Sequence, residues 1–186
     1  ELTSFLIKQR LVFIPSAFSP TDFVVKSNQL EARLISRILK TLAGLHHLSE
    51  EDIHERTGII TPYRNQIACI REQLEKDGFH YFENFQIDTV ERFQGSQKDF
   101  ILVSLCMDRS SQLDFLAQSR VWLEDGGNRQ LVDRKLNVTL TRARKQLIMT
   151  GNEAVLGGDE VYGWLIDEVR SQGGYFSKGA RALVEG

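Results

Sequence analysis

The 186 residues are 41% hydrophobic, enough to bury a core within one compact domain. Lys and Arg number 23 against 25 Asp and Glu, a formal net charge of -2, so the chain is not globally basic and any nucleic-acid contact must be local. No apolar run approaches the roughly 20 residues of a membrane helix, the basic-apolar-small order of a signal peptide is missing, and two cysteines, Cys69 and Cys106, make neither a metal site nor a disulfide framework.

These features lead us to expect a soluble, cytoplasmic protein with two buried, reduced thiols. The chain opens on Glu1 rather than Met, which fits a segment excised from a longer protein as well as a processed chain. The expected layout is one domain over residues 1–186, with a core at about 11–152 and a helical extension at about 153–186.

Leu11 to Ile14 reads as an edge or entry strand, followed by loop to Pro20. A helix follows, with Leu30, Leu34, Ile35, Ile38, Leu39 and Leu42 on one face; Asn28 and Glu31 have capping-box spacing, and Gly44 is a plausible stop. Gly58 to Thr61 reads as a strand ending at Pro62, then Ile67, Ile70 and Leu74 mark a second helix closed by Gly78. Phe100 to Leu105 is nearly continuously apolar, as a strand buried on both faces should be.

Glu124 to Asn128 reads as a turn or mobile loop. Val132, Leu136, Leu140 and Ala143 form a helical stripe, Leu147 to Thr150 a further strand, and Val161 to Val169 a helix whose Trp164, Leu165 and Val169 could pack on the sheet. Such alternation predicts an α/β fold with a mainly parallel, doubly wound sheet and functional loops at the carboxyl ends of its strands.

Three polar segments carry chemistry. TPYRNQ (61–66) offers a hydroxyl, a ring and a guanidinium, or simply a Pro-initiated helix start with a packed Tyr63. DTVERFQGSQKD (88–99) places Thr89, Arg92, Gln94, Gly95, Gln97 and Lys98 between strands, where a glycine lets backbone amides approach an anion or merely serves a turn. RKLNVTLTRARKQL (134–147) concentrates five cations; Arg142 lies off the apolar stripe, free to point at an anion or to sit on a solvated face.

Taken in order, ITPYRNQ, IDTVERFQGSQKDFILVSL and RKLNVTLTRARKQLIMTGN resemble motifs IV, V and VI of superfamily 1 helicases. The resemblance covers roughly residues 25–152, is closest to the branch of the RNA-surveillance helicases and Okazaki-fragment-processing helicase-nucleases, and includes SNQLEARLI just upstream of motif IV. It implies a RecA-like fold: the second motor domain of a helicase, lacking the phosphate loop. ATP with Mg would be bound jointly with an upstream RecA-like domain, and the strand bound would be single-stranded DNA or RNA.

In that resemblance Arg142 takes the place of the arginine finger that stabilises charge on the transferring phosphoryl group. Gly95 and Gln97 match residues near the nucleotide phosphates and ribose, with Gln97 where many relatives carry Glu. Gln29, with Asn28 beside it as a further nucleotide-binding candidate, falls where some relatives have a second γ-phosphate-sensing Arg, so that contact is either missing here or taken over by Arg64 or Arg144. Thr61, Tyr63, Arg64 and Thr89 match positions that grip the sugar-phosphate backbone. No G-x-x-x-x-G-K-[ST] sequence is present, so the fragment alone should be inactive as an ATPase. The alternative is a RecA-like module that binds nucleic acid or protein without catalysis.

Overall fold

The computed structural model describes residues 1–17, 26–93, 95–125 and 128–185; the expected loop at Pro20, Gln94 of the second polar segment, and Gly126 and Gly127 of the expected turn lie outside them. In chain order the elements begin α1 (Leu2–Lys8), β1 (Leu11–Ser16), α2 (Gln29–His46), α3 (Glu50–Arg56), β2 (Thr57–Ile60), α4 (Arg64–Lys76) and β3 (Gln86–Asp88). They continue with β4 (Lys98–Ser104), α5 (Leu113–Ala117), β5 (Arg120–Asp125), β6 (Asn128–Asp133), α6 (Arg134–Leu140) and β7 (Ala143–Asn152). Three helices close the chain: α7 (Glu153–Leu156), α8 (Glu160–Ser171) and α9 (Gly179–Val184).

Five strands form a sheet in the order β1-β7-β4-β2-β3, every neighbouring pair parallel. Such a sheet must be covered on both faces, and the side chains show how. Along β4, Phe100 and Leu102 turn to a core shared with Leu34, Ile38 and Ile70 of α2 and α4. Ile101 and Val103 turn to the opposite core, shared with Leu136 of α6 and Leu165 and Val169 of α8. The expected doubly wound α/β architecture is present. None of the described helices is long and apolar enough to cross a membrane.

Four local expectations change. Gly44 does not stop α2; the helix runs to His46 and closes on His47 in the left-handed region (φ 52°), whose amide donates to Ala43 and Gly44 carbonyls. One helical glycine costs only about 1 kcal/mol, and Leu45 beyond it packs against the core. The expected stripe from Val132 to Ala143 is cut at both ends: Val132 lies in β6, Ala143 in β7, and α6 starts where Asp133 accepts a hydrogen bond from Leu136 N at 2.9 Å.

The expected turn at Glu124–Asn128 is the end of an antiparallel hairpin, β5 with β6, pairing Val121 with Val132 and Trp122 with Leu131. Trp164, expected on the sheet, is 66% exposed, whereas Leu165 and Val169 are buried.

The described residues between 89 and 97 connect the carboxyl end of β3, an edge strand, to the amino end of β4, the central strand. Their crossing is fixed by Phe93, fully buried against β2 at Gly58: a Cβ there would lie 2.4 Å from Phe93 Cζ. Gly58→Ala should therefore destabilise the fold by about 1–3 kcal/mol through overpacking, measured as a lower urea midpoint; an unchanged midpoint would mean that Phe93 is not seated as described.

Candidate functional site

At the carboxyl ends of the strands, β2 delivers Thr61 and β3 delivers Thr89. Thr61 is fully buried; its amide donates to Asp88 O at 3.2 Å, while its hydroxyl has no partner among the described residues. Thr89 N donates to Asp88 Oδ1 at 2.8 Å, and its carbonyl accepts from Arg92 and Phe93 amides in a tight turn. Arg64, the first residue of α4, is exposed.

Tyr63 departs from its expected place on a strand-binding surface. Its ring is buried 5.4 Å from that of Phe115, with its hydroxyl 3.6 Å from Met107 S, and burial pushes the phenol up to about 12. It is a packed support for the loop, not an open stacking platform.

Asn28 and Gln29 lie on this same edge. Asn28 Oδ1 accepts from Glu31 N at 3.0 Å, as its capping position predicts, but the reciprocal half of the box is missing. Asn28 N donates to Gln66 Oε1 at 2.7 Å, because the Glu31 side chain has turned inward. Fully buried, the Glu31 carboxylate accepts from Ser16 Oγ at 2.7 Å, Ser104 Oγ at 2.6 Å and Cys106 N at 3.0 Å. Gln66 Nε2 donates to Asn28 O at 3.1 Å and Ser104 Oγ at 3.0 Å, completing a network that ties α2 and α4 to the ends of β1 and β4.

Sequence reading gave Glu31 only a capping role. The missed signal is that Glu31, Leu34, Ile35 and Ile38 share one helical face, an acid on the apolar stripe.

The amino ends of β4 and β7 hold the second group. Arg142 lies in the turn from α6 to β7, where Lys98 N donates to its carbonyl at 3.0 Å. Its guanidinium donates to Val138 O at 3.1 Å, Ser96 O at 3.3 Å and Thr141 Oγ1 at 3.4 Å. Arg142 is thus half-buried and held in place, rather than free on the helix face. Gln97 Nε2 donates to Thr141 O at 3.3 Å, and Gly95 takes a φ of 85°, a left-handed conformation suited to glycine. Arg144 is exposed nearby on β7.

Two expectations about the site need correcting. Gly95, Gln97, Arg142 and Arg144 gather at the amino, not the carboxyl, ends of the strands. Asn28 and Gln29 do not join them: the seven residues of β4 intervene, roughly 20 Å at about 3.3 Å per residue.

Burial raises the Glu31 carboxyl from 4.5 to about 7, outweighing the donated hydrogen bonds that lower it. The folded chain then holds a proton that the unfolded chain has already lost. This contribution to stability is complete below pH 4.5 and disappears as pH rises through about 7. Relative to Glu31→Gln, the unaltered chain should lose on the order of 3 kcal/mol of unfolding free energy between pH 4.5 and 8. Parallel stability-pH curves for the two proteins would refute the assignment.

Residues 16–154 match the family model of an AAA domain, AAA_12. The chain is 32% identical over 171 residues to "Regulator of nonsense transcripts 1" of Dictyostelium discoideum, covering 90% of this chain and 11% of that protein. It is 35% identical over 119 residues to "Helicase sen1" of Schizosaccharomyces pombe (63% and 6%), and 31% identical over 162 residues to "DNA replication ATP-dependent helicase/nuclease JHS1" of Arabidopsis thaliana (85% and 10%). The chain therefore spans only 6% to 11% of the length of these curated relatives.

Proposed function

Because the chain belongs to the AAA-domain family that forms the carboxyl-terminal RecA-like region of superfamily 1 helicases, we propose that it is the second motor domain of an ATP-dependent helicase. In this reading its two sheet edges do different work. The amino edge faces a nucleotide held mainly by an upstream domain; the carboxyl edge grips a single strand.

The observation that carries the nucleotide side is the fixed guanidinium of Arg142, held by three oxygens beside the Gly95 turn. Stabilising a transferring phosphoryl group requires a permanent positive charge already oriented before reaction, and a guanidinium anchored on one side while presenting its remaining N–H groups supplies that. Gly95 lets backbone amides approach the phosphates, Gln97 donates or accepts at a hydroxyl, and Arg144 adds positive potential at the rim.

Bound ATP supplies the scissile phosphoanhydride, and its magnesium ligands and phosphate loop belong to the other domain. This division explains why the chain alone should turn over no ATP.

On the carboxyl edge, Thr89 and Arg64 contact phosphates, while Thr61, which is fully buried rather than open to a strand as its motif position implied, and Tyr63 shape the loop that presents them. Asn28 and Gln29 act here as the head of α2, not as nucleotide ligands. Contacts of this kind grip backbone without reading bases, so DNA and RNA single strands are both accommodated.

The test is nucleic-acid-stimulated ATPase of the protein extended upstream to include its partner motor domain. Arg142→Ala should lower turnover on the order of 1000-fold while strand binding changes little and the loss of its three hydrogen bonds lowers the urea midpoint only modestly. Turnover within a few-fold of the unaltered protein would overturn the finger assignment; strand binding with no turnover in either would favour a non-catalytic module.

A further inference from the structure

Beyond the two threonines, the outer edge of the sheet carries an open groove between α4 and β3. Arg64, Ile67, Ala68 and Arg71 recur at helical spacing along one wall, and Ile87, Asp88 and Arg92 form the other. Ile67, Ala68 and Ile87 give the lining its apolar part. The rim bears three guanidinium groups against one carboxylate, a local excess of positive charge in a chain whose formal charge is -2.

These cations are available or fixed, not neutralised. Arg92 is 66% exposed and reaches Asp88 Oδ2 only at 3.8 Å, a contact weakened by solvent. Arg64 is exposed and makes no ion pair among the described residues. Arg71 donates to Glu83 O at 3.0 Å and Phe82 O at 3.5 Å, which holds its fork at the groove wall. Arg64 and Arg71 are seven residues apart on α4, about 10 Å along the helix axis.

The groove is continuous with the strand-gripping edge, because Asp88, in its wall, accepts the amides of both Thr61 and Thr89.

We infer that this groove binds the sugar-phosphate backbone of a single-stranded nucleic acid past Thr61 and Thr89, with Arg92 and Arg71 as phosphate contacts and Arg64 at the junction. The inference rests on the proposed strand-binding role of the carboxyl edge. Guanidinium forks match phosphate oxygens and the apolar side chains accept sugar rings, so contacts to the backbone here are sequence-tolerant.

The experiment uses the 186-residue chain itself, titrated with fluorescein-labelled oligouridylate and oligothymidylate across a salt series and read by anisotropy. Arg92→Gln should weaken binding about three- to tenfold at low salt and reduce the slope of log affinity against log salt by about 0.7, the loss of one single-strand phosphate contact. Arg92→Lys, which keeps the charge, should restore most of the slope. Because Arg92 is largely exposed, both variants should fold as the parent does, which circular dichroism checks.

If Thr89→Ala weakens binding but Arg92→Gln leaves affinity and slope unchanged, the groove is not part of the strand path and the inference fails while the proposed function stands. If the unaltered chain binds neither polymer, both fail.

Discussion

The buried carboxylate of Glu31 is the constraint around which the carboxyl edge is arranged. An isolated charge cannot remain in an apolar interior, so it must collect donors, and it collects them from the ends of two strands and the loop after β4. That requirement explains why the helix cap of α2 is only half-made and why Gln66 reaches across from α4 to satisfy the Asn28 amide. Removing one member leaves others unsatisfied, so this network behaves as a unit. Its raised proton affinity is the cost of burial, and its benefit is a loop edge whose geometry is fixed from four elements.

The amino edge is organised on a different principle. There the restraint is exposed or half-buried and built from carbonyl oxygens, with Arg142 bridging the end of α6 and the turn before β4. The segment that resembles motif V belongs to both edges, with Thr89 at one and Gln97 at the other, and between them Phe93 is pinned over Gly58. One short segment thereby joins the surface proposed to hold a strand to the surface proposed to meet a nucleotide.

The sheet was legible in the sequence because its signals are redundant: β4 and β7 are apolar runs too short for helices, and α2 and α4 carry clear apolar stripes. The family was legible because three motifs occur in order. What escaped depends on partners far along the chain. Glu31 meets Ser104 and Cys106 more than seventy residues away, and no local pattern reveals that. The burial of Tyr63 depends likewise on Phe115 and Met107.

The hairpin was missed for another reason. RVWLED and NRQLVD flank Gly126-Gly127, a two-residue turn signal, but the apolar stripe of the following helix obscured the alternation. The edge to which Gln97 and Arg142 belong was legible and misassigned: each precedes an expected strand, and in a parallel sheet that places it at the amino end.

That hairpin leaves the body and returns to it at nearly one point. Arg134 N donates to Ser119 O at 3.3 Å, and at its base Arg120 lies between Asp133 and Asp159, with contacts of 3.4 and 2.7 Å. An excursion whose two ends are fastened together can be lengthened or trimmed without altering the distance between the elements it separates, and added length costs only the slow logarithm of loop closure. Between Ser119 and Arg134 the chain is therefore a place where residues can accumulate without moving either motif that flanks it.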